Sequence, residues 1–135
     1  MDNVQKFMAA FRGFDGAHGQ TIISEERRAG KQKAQSRTVR TPITLELIRS
    51  HLNGVKGVGS IPINEDNKCV WGCVDVDQYP LDHKVLVEKI RKLKLPLVVC
   101  RSKSGGAHCF LFTTTWVEAK DMQSTLQEIS AALGY

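Results

Sequence analysis

Residues 69–77 constrain the fold of this chain more than any other segment, because their side chains alternate in character. On a strand, one face would carry Val70, Gly72, Val74 and Val76, and the other Cys69, Trp71, Cys73, Asp75 and Asp77. An apolar strand of this kind has to be paired in a sheet and covered by other elements. The pattern therefore predicts a strand over residues 68–77 that ends with two carboxylates on one face.

The patterns around this strand predict a domain of mixed α/β class. Helices are expected at residues 3–11, from Thr41-Pro42 to Asn53-Gly54, at residues 83–94 after an Asp82 cap, and after a Thr115-x-x-Glu118 capping box. Further strands are expected at residues 58–63, 97–101 and 108–113. The predicted fold class is therefore α/β, more specifically α+β. The chain is predicted to form one domain over residues 1–135. An N-terminal α/β part covers residues 1–67, and an incomplete RRM-like βαββα(β) unit covers residues 68–135.

Length and composition exclude several classes of protein. The chain has 135 residues, which suits one domain and is too short for a barrel enzyme or a two-domain synthetase. Its longest apolar run is far below the ~18 residues that cross a bilayer, and its start lacks a signal-peptide core. The four cysteines include no CxxC pair, so reduced thiols are expected. These features predict a soluble, cytoplasmic protein without membrane contact.

The net charge of +5 is unevenly distributed. Residues 13–40 show little periodicity, although residues 20–24 could form a short strand, and residues 25–41 are predicted to form a basic loop. Its cations are Arg27, Arg28, Lys31, Lys33, Arg37 and Arg40. A second basic stretch contains Arg91, Lys92, Lys94, Arg101 and Lys103. Basic segments on either side of an acidic segment suit binding of a polyanionic substrate near metal ions. The alternative for the second basic stretch is that its lysines and arginines only form the solvated surface of a helix.

Asp75 and Asp77 are candidate metal ligands. Residues i and i+2 of a strand lie ~6.5–7 Å apart, which lets two carboxylates converge on one or two hard cations. The alternative is that both are strand-end residues in solvent. Zinc binding at Cys69-x3-Cys73 is disfavoured because the segment alternates like a strand. A glycosyltransferase also uses Asp-x-Asp with a metal, but it usually needs a considerably larger domain.

The segment from Arg101 to His108, with the sequence Arg-Ser-Lys-Ser-Gly-Gly-Ala-His, is a candidate phosphate-binding hairpin. The alternative is an ordinary hairpin connection in which His108 is a core or surface histidine. Glycines let backbone amides approach an anion, Ser104 can donate its hydroxyl, and Arg101 or Lys103 can neutralise charge. It is not a Walker A loop, because no Gly-Lys-Ser/Thr follows and the next element is a strand. The predicted topology makes this hairpin and the acidic strand neighbours in one sheet.

These segments resemble motifs of a known family. Residues 71–77 and the run Ser102-Lys-Ser-Gly-Gly-Ala-His108 closely resemble the first two motifs of archaeo-eukaryotic primases. His51-Leu52-x-Gly54, Gly59 and Ile61-Pro62 are similar to the primase domains of TOTE conflict systems and related phage or mobile-element primase-polymerases. Phe11-Arg12-Gly13-x-Asp15 is similar to the opening motif of that group.

The resemblance implies a metal-dependent nucleotidyltransferase, a primase or primase-polymerase acting on a single-stranded DNA template with NTPs or dNTPs. Asp75 and Asp77 would bind two Mg²⁺ or Mn²⁺ ions, with His108 as a further catalytic residue. The nucleotide would be bound by Arg101, Lys103, Ser104, Gly105, Gly106 and His108. The basic loop would contact the template. A helicase or further domains would be partners, in bacterial, phage or mobile-element replication.

The chain departs from the family pattern at two points. Related TOTE primases carry a cysteine-rich, zinc-ribbon-like insertion where this chain has the cysteine-free basic loop, so no zinc is expected. The third metal-binding aspartate of the family would lie on a strand beyond Tyr135, since Asp121 falls inside the last predicted helix. We therefore expect this chain to be truncated before that motif. The alternative function is a catalytically inactive nucleic-acid or nucleotide-binding module with an RRM-like sheet.

Overall fold

The computed structural model describes residues 1–28 and 31–135, without the side chains of residues 23–34. The chain forms two compact units, Met1–Asn67 and Lys68–Tyr135. Each contains one small antiparallel sheet of three strands, and the described residues include four helices. The protein is therefore of mixed α/β class. Within the described residues, no helix combines the length and the hydropathy that a membrane span requires.

The first unit is built on a sheet with the strand order β2-β1-β3. Its elements are α1 (Asn3–Ala10), β1 (His18–Arg28), β2 (Lys31–Val39), α2 (Leu45–Leu52) and β3 (Gly57–Gly59). A capping box starts α1: Asp2 accepts from the Gln5 backbone, and the Gln5 side chain accepts from the Asp2 backbone. The second helix begins later than predicted, since Thr44, not Pro42, precedes its first residue as the N-cap.

The prediction of a basic loop over residues 25–41 was wrong. Most of these residues belong to the hairpin of β1 and β2, which runs in register from His18 opposite Val39 to Arg28 opposite Lys31, with an irregularity between Ile23 and Arg27. Apart from the short strand expected at residues 20–24, which lies within β1, these strands were not predicted. They are largely polar on both faces, so no apolar alternation marks them. Arg27, Arg28, Lys31 and Lys33 lie on these strands, and their side chains are outside the described part. Arg37 and Arg40 are exposed.

A buried histidine closes the open end of this hairpin. His18 is 0% exposed. Its Nδ1 donates to the Thr41 carbonyl at 2.6 Å, and its Nε2 accepts from the Gln20 amide at 3.1 Å. Both ring nitrogens are thus satisfied in a neutral tautomer, as a buried polar side chain requires.

The second unit has the strand order β4-β6-β5. Its elements are β4 (Lys68–Val76), α3 (His83–Lys92), β5 (Leu97–Arg101), β6 (Ala107–Glu118) and α4 (Ala119–Leu133). Both helices pack on one face of the sheet, where the core includes Val74, Val76, Leu86, Ile90, Cys109, Leu111, Met122, Ile129 and Leu133. The apolar face of the predicted strand is therefore its buried face.

Two boundaries of the second unit and the position of Cys69 differ from the prediction. The predicted capping box at Thr115 is wrong, because β6 continues to Glu118, which caps α4 without a side-chain hydrogen bond. A register shift between Cys69 and Trp71 accompanies this longer strand and places Cys69 in the core, not beside Trp71. Helix α3 ends at Lys92, two residues early, and Lys94 adopts a positive φ of 54°.

The motif Phe11-Arg12-Gly13 packs against the segment 60–62. Phe14 donates its backbone N–H to the Ile61 carbonyl at 2.8 Å, and the Ser60 hydroxyl donates to the Phe11 carbonyl. A Cβ at Gly13 would lie 1.9 Å from the Ile61 oxygen. Two of the motifs recognised in the sequence are thus packed together, and they need a glycine where they meet.

We predict that Gly13→Ala lowers the free energy of unfolding by roughly 2–3 kcal/mol, because the added methyl group displaces a hydrogen-bonded backbone segment. Gly19→Ala is the matched control, since a Cβ there meets Gly59 at an ordinary 3.6 Å. Urea unfolding of both variants measures the difference. Equal stability of the two variants would contradict the packing described for Gly13.

Candidate functional site

The two aspartates are held at the end of β4 by the burial of their neighbours. Val74 and Val76 are 6% and 1% exposed and lie in the core, whereas Asp75 and Asp77 are exposed. Because successive side chains on a strand point to opposite faces, burial of both valines directs the Asp75 carboxylate to the other face. The predicted alternation is confirmed from Val74 to Val76, but β4 ends at Val76, so Asp77 follows the strand instead of ending it.

His108 lies directly beside Asp75. The two residues are partners in the pairing of β4 with β6. The His108 Nε2 is 3.5 Å from the Asp75 Oδ1, and the two side chains are 44% and 55% exposed. The pairing register thus brings together the acidic motif and the histidine of the second motif, as the predicted topology required.

The connection between β5 and β6 is a tight turn stabilised by its backbone. Ser102 donates to the Gly106 carbonyl at 3.0 Å, and Gly105 donates to the Ser102 carbonyl at 3.1 Å. Gly105 has a φ of 94°, a backbone conformation that residues with a Cβ atom rarely adopt. A Cβ at Gly106 would lie 2.2 Å from the Val76 carbonyl oxygen. The two glycines therefore let the turn fold closely over the end of β4.

The cationic and hydroxyl residues of this turn are exposed. Arg101, the last residue of β5, and Lys103 and Ser104 in the turn are all open to solvent. An anion approaching the end of β4 would meet these side chains. The second basic stretch is divided, because Arg91 and Lys92 lie at the end of α3, at the other end of β5 from Arg101.

Two residues of the site were missed by the sequence analysis. The Tyr79 hydroxyl is 3.1 Å from the Asp77 Oδ1 and 2.6 Å from the Ser104 Oγ. The His83 Nε2 donates to the Gly106 carbonyl at 2.8 Å, which ties the first turn of α3 to the hairpin. Neither belongs to a periodic pattern; the sequence signal for Tyr79 was its position two residues after Asp77 and directly before Pro80.

The sheet face that carries Asp75 and His108 also carries a row of aromatic rings. Phe110 lies 6.0 Å from His108, edge-on, 6.1 Å from Trp71, and 6.0 Å from Phe112 with nearly parallel planes, measured between ring centroids. All three aromatic side chains are half-buried. On the sheet face opposite the core, aromatic side chains thus lie in the middle, and the ionisable side chains of Asp75 and His108 lie at one end.

Cys73 lies on the same face, next in the row to Asp75. Burial, and to a lesser extent the nearby Asp75 charge, raises the pKa of the Cys73 thiol to about 11. At neutral pH this side chain is therefore a neutral thiol and a poor metal ligand.

The donor set at the end of β4 fits a hard divalent cation. Among the described residues, no group of three or more His, Cys, Asp or Glu side chains is arranged to hold a metal ion. Asp75 and Asp77 offer two exposed carboxylates at and just after the end of β4. Mg²⁺ is commonly held by one or two carboxylates, with waters and substrate phosphates completing its shell. The two aspartates suit that mode of binding and do not suit a closed, all-protein metal site.

Comparison with known families supports the resemblance seen in the motifs. The family model described as "TOTE conflict system, Archaeo-Eukaryotic Primase domain" matches residues 3–133. This range includes every candidate site residue named above, and it confirms the predicted family. A search of curated proteins found none that matches the chain.

We predict that alkylation of Cys73 by iodoacetamide accelerates about tenfold per pH unit between pH 8 and pH 10, because only the thiolate reacts and a thiol with this pKa is about 1% ionised at pH 9. Peptide mapping by mass spectrometry measures the rate at Cys73, with exposed Cys100 in the same sample as the internal control. A plateau for Cys73 below pH 9 would contradict the assignment.

Proposed function

The chain belongs to the TOTE conflict system archaeo-eukaryotic primase domain family, and we propose on this basis that it is the catalytic domain of a DNA primase or primase-polymerase. The reaction is template-directed transfer of a nucleotidyl group from an NTP or dNTP to a 3′-hydroxyl. The observation that carries the proposal is the meeting of Asp75, Asp77, His108 and the 102–106 turn at one end of the second sheet.

Asp75 and Asp77 would hold two Mg²⁺ or Mn²⁺ ions. Such ions, when bound, activate the attacking hydroxyl and stabilise the leaving pyrophosphate. The supporting observation is that both carboxylates are exposed, while Val74 and Val76 anchor the end of the strand in the core. A strand anchored in this way holds the carboxylates in place before substrate arrives, which is the main protein contribution to phosphoryl transfer.

The turn and its flanks would bind the triphosphate. Arg101 and Lys103 supply positive charge, Ser104 supplies a hydroxyl, and Gly105 and Gly106 expose the backbone. His108, on the strand that follows, can donate an imidazole N–H to a phosphate oxygen while it stays beside Asp75. These residues act by binding and orienting the nucleotide rather than by covalent chemistry.

We also propose that the second unit is RRM-like. Its element order, strand-helix-strand-strand-helix, and its strand order β4-β6-β5 support this reading. The hairpin of β1 and β2 would contact the single-stranded DNA template, and a helicase or further domains would act with the primase domain in cytoplasmic bacterial, phage or mobile-element replication.

A second candidate function is a nucleic-acid-binding module without chemistry. The specific observation in its favour is the aromatic row of Trp71, Phe110 and Phe112, a type of surface on which bases stack in RRM domains. Binding of single-stranded DNA that survives both EDTA and loss of the two aspartates, without nucleotide incorporation, would favour this alternative.

We predict that Asp75→Ala and Asp77→Ala each reduce manganese-dependent primer extension by roughly 10³-fold, because each removes a ligand of the reacting metal ions. Asp121→Ala is the matched control, since Asp121 is an exposed aspartate of the same unit at the start of α4. Extension is measured on a primed template with all four dNTPs and, separately, all four NTPs. Full activity in either site variant would contradict the metal-binding assignment.

We predict that the double variant Arg37→Gln, Arg40→Gln weakens binding to single-stranded DNA and lowers the slope of log K against log salt by about 1.4, since each lost phosphate contact contributes about 0.7. The matched control is Arg91→Gln, Lys92→Gln, which removes the same charge from α3. Fluorescence anisotropy at several salt concentrations measures both slopes. Equal slopes for the two double variants would argue against template binding by the hairpin.

A further inference from the structure

Tyr79 connects the acidic motif to the phosphate-binding turn. Its hydroxyl lies between the Asp77 Oδ1 at 3.1 Å and the Ser104 Oγ at 2.6 Å. Ser104 is in turn 3.4 Å from the Ser102 Oγ. Four side chains from two separate segments thus form one chain of polar contacts that ends on a candidate metal ligand.

The hydrogens in this chain can have only one order. A carboxylate accepts, so the single hydrogen of the Tyr79 hydroxyl is donated to Asp77. Tyr79 must then accept from Ser104, because it has no second hydrogen. Since the Ser104 hydrogen is committed to Tyr79, the contact between the two serines requires Ser102 to donate to Ser104. The direction is therefore Ser102 to Ser104 to Tyr79 to Asp77.

The backbone leaves room for this arrangement. A Cβ at position 106 would lie 3.4 Å from the Tyr79 hydroxyl, 3.2 Å from the Ser102 Oγ and 2.2 Å from the Val76 carbonyl. Any larger residue at Gly106 would push the turn away from the end of β4. The close approach of the turn is thus what allows one tyrosine to reach both Ser104 and Asp77.

We propose that Tyr79 is a positioning residue for the metal and nucleotide site, an inference that rests on the proposed function. Its hydroxyl holds one oxygen of Asp77 and leaves the other oxygen available to a cation. The same hydroxyl holds Ser104, so that the turn stays beside the carboxylates before nucleotide binds. Hydrogen bonds of this kind to a ligating carboxylate orient it and raise the affinity for metal.

The test is the variant Tyr79→Phe, which keeps the ring and removes only the hydroxyl. We expect Mn²⁺ to bind the nucleotide-free protein about three- to tenfold more weakly, measured by electron paramagnetic resonance, and the KM for dNTP to rise by a similar factor. Tyr135→Phe is the matched control, because Tyr135 is the other tyrosine of the chain, and its ring, near Lys89, is kept. It should bind Mn²⁺ like the wild type.

Ser104→Ala separates the two contacts of Tyr79. This variant leaves the bond from Tyr79 to Asp77 in place, so Mn²⁺ affinity should stay within about twofold of the wild type while the KM for dNTP rises. Equal loss of Mn²⁺ affinity in Ser104→Ala and Tyr79→Phe would overturn the directed chain, because it would mean that Asp77 depends on the turn as a whole.

The outcomes distinguish this inference from the proposed function. Wild-type Mn²⁺ affinity in Tyr79→Phe, together with its loss in Asp77→Ala, would overturn the role of Tyr79 and leave the proposed function standing. Wild-type Mn²⁺ affinity in both Asp75→Ala and Asp77→Ala would overturn the proposed metal site and the role of Tyr79 with it. Weaker binding in Tyr79→Phe but not in Tyr135→Phe would support the inference.

Discussion

The pairing register of β4 with β6 is the constraint on which the site depends. It sets Asp75 opposite His108 and keeps Val74 and Val76 in the core. A slip of one residue would turn every side chain of β4 to the other face, burying the Asp75 carboxylate and exposing Val74 and Val76. Burial of unpaired carboxylates is costly, so the core that stabilises the sheet also enforces the geometry of the site. The same strand register therefore stabilises the sheet and sets the geometry of the site.

The second constraint is steric and lies in the turn before β6. Gly106 faces the Val76 carbonyl at a distance that admits no Cβ, and His83 holds the same residue from the start of α3. The turn is thus fixed from two sides through its backbone. Its polar residues Lys103 and Ser104 can then stay exposed, which suits contact with a bulky anion such as a triphosphate. Tyr79 joins the turn to Asp77, so the two halves of the site are connected by side chains as well as by the sheet.

Much of the second unit could be predicted from the sequence because its patterns are strong. Alternation over residues 69–77 identified β4, and a short apolar run between Pro96 and the Ser/Gly-rich turn identified β5 with its observed limits. The hairpin of β1 and β2 could not be predicted beyond a short strand at residues 20–24, because its strands are mostly polar and their register depends on pairing rather than on burial. The buried His18 escaped for a related reason: its partner Thr41 is distant in the sequence and contributes only a backbone carbonyl. Tyr79 was missed because its contact with Ser104 joins two loops, and contacts between loops leave no periodic pattern in the sequence.

The central claim is that Asp75, Asp77 and the 102–108 segment form one cation and nucleotide site. Nuclear magnetic resonance of the isotopically labelled protein during addition of Mn²⁺ tests it most directly, because the paramagnetic ion broadens the signals of nearby amides. We expect broadening to begin at residues 75–79 and 102–108 and to disappear in Asp75→Ala and Asp77→Ala. Broadening that begins elsewhere in the protein, or that is unchanged in both variants, would contradict the claim.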